Sequence, residues 1–382
     1  MSLKRIIPYG RQEITEEDIK AVAETLRSDY LTQGPKVAEF EEKLASYCGA
    51  KFAVAFANGT AALHGAYYAA GLRKGDSFIT SPMTFAATAN AGLYLGASPV
   101  FCDIEPDTGN IDSDRIPALI NKSVKLIAPV HYSGMPADMA EIRAIADEKK
   151  LMVIEDACHA LGAVYKGERI GNCAYSDMAV FSFHPVKHVA TGEGGAVLTN
   201  NKNLRDTLLR FRSHGITRDN LINEPHGGWY HEMQELGYNY RMTDIQCALG
   251  ISQLSRAESS LGKRRLMAAK YDAVFSDVKG VKTPPHREGR QNAYHLYPLR
   301  IEHGRKEVYD LLREKGVHAQ VHYLPVYMHP YYRANGFDNF TLPEAEKFYK
   351  SELSIPMFPS LTDEEQDYVT ESVREALKCV LG

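Results

Sequence analysis

Between residues 52 and 199 the chain alternates short apolar runs with helical patterns, and that alternation leaves few folds open to it. The runs cover residues 52–56, 77–80, 99–104, 125–130, 151–155, 178–183 and 195–199. Helical patterns stand between several of them: 60–71, a small-residue stretch ending near Gly96, and 137–150. Runs this short and this apolar suit strands buried on both faces, and intervening helices suit parallel pairing. The pattern predicts an α/β fold with a large, mostly parallel sheet domain sandwiched by helices. Past residue 250 the character changes. A charged helical stretch (252–275) leads through Pro284-Pro285 to a strand pattern (293–300), a helix (305–315), a strand (318–323) and a terminal helix (363–377). The expected division is a large domain with the N-terminal segment over 1–250 and a smaller C-terminal α/β domain over 251–382.

Composition narrows the functions available. With 44% hydrophobic and 24% charged residues and a net charge of -4, the chain reads as an ordinary globular protein with no pull toward nucleic acid. Met1-Ser2-Leu3-Lys4-Arg5 opens no signal peptide, and no apolar stretch approaches the roughly 18–20 residues that span a bilayer. The cysteines are scattered without a C-x-x-C pair, as expected of reduced residues in the cytoplasm.

Three constellations fall at the ends of different predicted strands, where open α/β sheets place ligands. Lys187 follows the run ending at Phe183 and precedes the Gly-rich Thr191-Gly192-Glu193-Gly194-Gly195. An amine desolvated there becomes a nucleophile able to form a Schiff base; a surface lysine on a turn is the plainer alternative. Asn58-Gly59-Thr60-Ala61 opens a helix directly after a strand, where free N–H groups attract phosphate, or serve only as an N-cap turn. Glu155-Asp156-Ala157-Cys158-His159 ends another strand. A carboxylate there pairs with a protonated heterocyclic nitrogen or with a structural cation. Ser182, five residues before Lys187, is a second phosphate donor. A phosphate cradle, a carboxylate for a ring nitrogen and a Schiff-base lysine together make up what pyridoxal 5'-phosphate requires. No G-x-G-x-x-G, Walker loop or H-E-x-x-H is present, and the histidines show no metal-ligand spacing.

With these segments in hand, and with Gly237-Tyr238-Asn239-Tyr240-Arg241-Met242-Thr243-Asp244, the chain resembles the DegT/DnrJ/EryC1/StrS family. These are fold-type I, pyridoxal phosphate-dependent aminotransferases that act on nucleotide-linked keto-sugars. Ser28-Asp29-Tyr30-Leu31-Thr32-Gln33-Gly34-Pro35, Phe183-His184-Pro185-Val186-Lys187 and Arg212 to Asp219 look most like the branch making UDP-4-amino-4,6-dideoxy-N-acetyl-β-L-altrosamine on the pseudaminic acid pathway.

The resemblance implies roles. Lys187 would carry the cofactor and shuttle a proton, Asp156 would keep the pyridine nitrogen protonated, and His159 would meet the phenolic oxygen. Phe85 would stack on the ring; Thr60, Ala61 and Ser182 would hold the phosphate. Asn239 would reach the phosphate of a neighbouring subunit, since sites in this family are shared across a homodimer. Sugar contacts would come from Tyr9, from Tyr30, Leu31, Thr32 and Gln33, and from Gln320, Val321, His322 and Tyr323. The implied reaction uses L-glutamate as donor and C4 of a UDP-linked 4-keto-6-deoxy sugar as acceptor, with dTDP- or GDP-linked sugars as alternatives. A related branch that dehydrates has histidine in place of the lysine, so Lys187 points to transamination. A non-catalytic cofactor-binding regulator is a distant rival, because the chain has no spare DNA-binding element.

Overall fold

The computed structural model describes residues 6–382; Met1–Arg5, read above as no signal peptide, lie outside the described residues. The large sheet has seven strands: β1 (Phe52–Phe56), β2 (Ser77–Thr80), β3 (Ser98–Phe101), β4 (Val124–Ala128), β5 (Met152–Asp156), β6 (Met178–Ser182) and β7 (Gly195–Thr199). They lie in the order β1-β7-β6-β5-β4-β2-β3. All neighbours pair in parallel except β7, which runs antiparallel to both β1 and β6. The reversed β7 brings its first residue, Gly195, opposite Phe56 and Ser182, the last residues of its neighbours.

Strand periodicity sorts side chains onto two faces. Ala53 and Ala55 face a core built with Phe40 and Leu44 of α2 (Pro35–Cys48), Ile142 of α5 (Met139–Lys149) and Cys247 of α7 (Asp244–Ser255). Val54 and Phe56 face the other core. It is built with Leu63 and Tyr67 of α3 (Gly59–Ala69), Ala87 and Ala91 of α4 (Ala87–Leu93) and Leu208 of α6 (Lys202–Phe211). Each fully buried Phe or Leu contributes about 2–3 kcal/mol relative to exposure, so the sheet is the rigid part of the molecule. In front of these elements, α1 (Glu16–Leu26) lies against α7.

A separate core gathers the C-terminal elements. They are α8 (Ala257–Phe275), α9 (Arg305–Glu314), α10 (Asp363–Leu381) and an antiparallel sheet of β8 (Val281–Lys282), β9 (Tyr297–Ile301) and β10 (Glu352–Ile355). Ile7 of the N-terminal segment also packs there, and Ile7–Pro8 pairs with Val317–His318. Along α8 the packing partner changes: Ala257 and Leu261 join the sheet-side core, while Met267, Tyr271 and Phe275 join the C-terminal one.

Three elements differ from the sequence pattern. The stretch read as one helix over 252–275 belongs to two helices, because Arg256 leaves helical geometry (ψ 11°). Its guanidinium turns to the buried Asp18 carboxylate at 2.7 and 2.9 Å. The strand read over 293–300 is ordered as a strand only from Tyr297, since side chains and loops take the earlier backbone groups. Arg264 donates to the carbonyls of Tyr294 and His295, and the Ala293 N–H donates to Gly134 O. Residues 318–323 make no ladder beyond His318: the His322 N–H donates to the Glu352 carboxylate and the His322 carbonyl accepts from Tyr132 Oη.

Candidate active site

The ends of β1, β5 and β6 and the start of β7 converge on a cavity of about 880 Å³, roofed by residues 320–323 and by Tyr9. That volume lies near the upper end for a ligand site and leaves room for more than one small molecule.

One wall is the start of α3. Asn58 caps the helix, its Oδ1 accepting from the Ala61 N–H at 2.8 Å. The N–H groups of Gly59 and Thr60 and the Thr60 hydroxyl keep no partner among the described residues. Ser182 Oγ lies beside them, so close that a Cβ on Gly59 would come within 2.9 Å of Ser182 Cβ. Beneath the turn, a Cβ on Gly195 would meet Asn58 O at 2.5 Å. Two glycines therefore let three chain segments meet at one point, and bare first-turn N–H groups with a helix dipole behind them are an anion site.

The carboxylates at the end of β5 have separate environments. Glu155 bonds His131 Nε2 at 2.8 Å and also accepts from Ser176 Oγ. Asp156 lines the cavity, accepting from Thr88 Oγ1 at 2.6 Å and from the Cys158 N–H at 3.2 Å, and pairs with no cation among the described residues. Thr88 is in turn 2.7 Å from Oγ1 of Thr84, just before α4, so a second hydroxyl backs the one that meets the carboxylate.

Lys187 opens into the cavity, and burial pushes its amine below the usual lysine range, against the pull of Cys158 and Asp156. Its nearest polar neighbour is His295 Nε2 at 3.5 Å. The ring of His295 lies 4.4 Å from that of His159, whose Nε2 is 3.1 Å from Tyr323 Oη. Burial, and next the positive charge of Lys187, hold both imidazoles well below their ordinary range. Both keep a buried Nδ1 without a partner. His188 turns the other way, its Nε2 to Ala293 O at 3.0 Å, and does not line the cavity.

Of the residues singled out in the sequence, the cavity brings together Tyr9, Thr60, Ala61, Phe85, Asp156, His159, Ser182, Lys187, Gln320, Val321, His322 and Tyr323. The Ala61 N–H is already taken by Asn58. Phe85 is 64% exposed, open on its outer face. Tyr30, Leu31, Thr32, Gln33 and Asn239 lie outside it: Tyr30 lines a groove between α1, α2 and α7, and Asn239 is exposed. Sequence reading missed Thr88 and His295. The i, i+4 pair Thr84 and Thr88 carries a weak helical signal; His295, alone among apolar and aromatic residues, carries none.

Residues 12–374 match the profile of the DegT/DnrJ/EryC1/StrS aminotransferase family. The chain is 39% identical over 381 residues to the spore coat polysaccharide biosynthesis protein SpsC of Bacillus subtilis, covering 97% of each. It is 38% identical over 382 residues to the UDP-4-amino-4,6-dideoxy-N-acetyl-beta-L-altrosamine transaminase of Campylobacter jejuni, covering 98% of each. Helicobacter pylori PseC, an aminotransferase involved in the biosynthesis of pseudoaminic acid, superposes with a TM-score of 0.91 at 34% identity, over 98% of this chain and 100% of that one. NtdA of Bacillus subtilis, solved with bound cofactor PMP, gives 0.85 at 30% identity, over 96% and 83%.

Proposed function

The chain belongs to the DegT/DnrJ/EryC1/StrS aminotransferase family, and we propose that it moves an amino group from L-glutamate to C4 of a UDP-linked 4-keto-6-deoxy-N-acetylhexosamine. Pyridoxal phosphate-dependent transamination of a sugar is the family-level activity. The donor, the nucleotide and the carbon aminated are our reading. One observation carries it: a lysine amine with no carboxylate partner among the described residues opens into the same cavity as Asp156 and the bare first turn of α3.

These groups fit pyridoxal phosphate. The first-turn N–H groups of α3, with the Thr60 and Ser182 hydroxyls, would hold the phosphate. Asp156 would hold a proton on the ring nitrogen, His159 would stand at the phenolic oxygen, and Phe85 would cover the ring. When bound, the cofactor supplies a carrier for the amino group and a sink for electrons. Lys187 would hold it between turnovers, and its Nζ would move a proton between two carbons. Burial favours the unprotonated amine that this step needs, whereas a fully solvated lysine is protonated at pH 7. The neutral His159 and His295 bound the amine without adding positive charge.

The acceptor is read as UDP-2-acetamido-2,6-dideoxy-β-L-arabino-hex-4-ulose, in pseudaminic acid biosynthesis. Support comes from the Campylobacter and Helicobacter relatives and from the polar aromatic roof of Tyr9, Gln320, His322 and Tyr323. Similarity of equal strength to a spore coat polysaccharide protein favours a second reading, the same chemistry on another nucleotide-linked keto-sugar. Supplied with cofactor and L-glutamate, the protein should form 2-oxoglutarate with the UDP-sugar faster than with dTDP- or GDP-linked keto-sugars. Preference for one of the latter would establish the second reading; no turnover with any would overturn both.

The working unit in this reading is a cytoplasmic homodimer with shared sites. What supports sharing is that the 30–33 loop and Asn239 are both absent from their own chain's cavity, and that the Thr32–Thr243 bridge ties the loop to the segment four residues after Asn239. The unpaired cysteines support a reducing compartment.

A further inference from the structure

Glu352 has no task in the chemistry above. It opens β10 fully buried, and no cation pairs with it among the described residues. A buried carboxyl without a counter-charge is costly and invites a reason. Its Oε1 lies 2.5 Å from Ser354 Oγ, and Ser354 Oγ lies 2.9 Å from His322 Nδ1. Its Oε2 accepts from the His322 N–H at 2.6 Å, and Tyr132 Oη holds the His322 carbonyl at 2.5 Å, so the imidazole is fixed from both sides of its backbone. The ring packs 5.0 Å from Tyr9 and lines the cavity together with Lys187. Its Nε2 has no protein partner among the described residues.

We propose that Glu352, Ser354 and His322 form a proton relay that delivers a proton through His322 Nε2 to the oxygen leaving a carbonyl substrate. The inference rests on the aminotransferase reading of the cavity, not on which sugar fills it. Replacing a carbonyl oxygen by nitrogen requires that oxygen to depart as water, which needs an acid. Nε2 gives its proton to the oxygen as the C–O bond breaks, Ser354 Oγ gives its proton to Nδ1, and Glu352 gives its own to Oγ. Glu352 ends as a carboxylate. The incoming nitrogen sheds two protons: one passes to the oxygen as the C–N bond forms, and the other returns along the relay to restore Glu352. The imidazole is neutral before and after; only its tautomer changes.

The electrostatics suit this cycle. Burial raises the Glu352 carboxyl to about 8, opposed by Ser354, the His322 N–H, Arg305 and Arg300. Burial, then the charge of Lys187, lowers His322 to about 3, so the ring does not become a cation at neutral pH. The other titratable groups facing the relay are Tyr132 and Tyr323 beside Glu352, and Tyr9, Tyr323 and His159 beside His322.

The test is the tautomer of His322 in full-length holoenzyme labelled with 15N-histidine, its signals assigned by loss in H322Q. Between pH 6 and 10 the wild type should pass from the Nε2–H to the Nδ1–H form without an imidazolium. Glu352→Gln should lock the Nε2–H form, and Ser354→Ala should remove the coupling. A tautomer that ignores pH in the wild type, or switches unchanged in the variants, overturns the relay. If Glu352→Gln does not fold, Ser354→Ala decides alone. Turnover adds a second readout: kcat in the variants should fall about 100-fold with KM little changed, as for loss of a general acid. Failure of the UDP-sugar as a substrate would refute that substrate while leaving the tautomer measurement intact.

Discussion

The start of α3 serves as a capped helix and, in our reading, as a phosphate site, and Asn58 separates the two roles. Asn58→Asp keeps an acceptor for the Ala61 N–H, now 2.8 Å from Asn58 Oδ1, and adds a negative charge at the positive end of the helix. Without cofactor the variant should equal the wild type in stability or gain about 0.3–1 kcal/mol. A phosphate on the first-turn N–H groups feels the opposite effect. At an effective dielectric of about 20 and a separation of roughly 6 Å, one charge pair repels by about 2.8 kcal/mol. With about 1.5 to 2 charges on phosphate and screening by salt, a net loss of about 2 kcal/mol, roughly 30-fold in affinity, is expected. Cofactor present at about 100 times its wild-type Kd stabilises the wild type by about 2.7 kcal/mol but the variant by only about 0.9. Asn58→Ala should do the reverse, losing about 0.5–2 kcal/mol of stability with only a few-fold change in affinity. Denaturant unfolding with and without cofactor, beside an absorbance titration, reads both quantities. Wild-type affinity in Asn58→Asp, or equal losses in the two variants, would refute phosphate binding at this helix.

Burial depresses the Lys187 pKa, so between the folded and unfolded values the unfolded chain binds more protons and apo-protein stability should rise with pH. Lys187→Met should therefore be more stable than the wild type at pH 7, with the gap closing toward pH 10, and should show no visible band with cofactor. Urea unfolding across pH checks the sign. Thr88→Val removes the hydroxyl that donates to Asp156 at 2.6 Å without opening a cavity. It should cost about 2 kcal/mol, the range for a bond to a buried charged group, while Thr88→Ser stays near wild type in a thermal melt. Mixing inactive Lys187→Ala and Asn239→Ala proteins and refolding them together should restore about a quarter of wild-type activity. Half of the dimers would then be hybrids, each with one intact site. No recovery would argue that Asn239 acts within its own chain.

The sheet was legible because a strand buried on both faces leaves little sequence freedom. The runs at 52–56, 77–80 and 195–199 coincide with β1, β2 and β7, and the others differ by one to three residues at their ends. What failed were places where side chains take over backbone hydrogen bonding. Residues 318–323 carry a strand-like pattern, yet Glu352 and Tyr132 hold the His322 peptide groups. Those partners come from elements far along the chain, so no local pattern could announce them. His295 was invisible for the same reason: its place beside Lys187 is fixed by Arg264, which grips its carbonyl from α8.

The two halves of the cavity also differ in how far chemistry alone constrains them. A phosphate, a ring nitrogen and a reactive amine each demand a particular residue type, and strand ends supply fixed places for them. The cofactor half is therefore written in short motifs on the rigid sheet: Gly59 and Thr60, Asp156, Ser182 and Lys187. The substrate half demands shape, which many residue sets can provide. Here it is made by a segment without regular structure, residues 320–323, held to β10 through the relay carboxyl and a single bridge between Gln320 and Ser354. Breaking that link should spare the cofactor half. Ser354→Ala removes the Glu352–Ser354–His322 bonds while leaving α3, Asp156 and Lys187 untouched. Cofactor affinity should stay at the wild-type value while turnover falls, and equal damage to both would mean that the two halves are not mechanically separate.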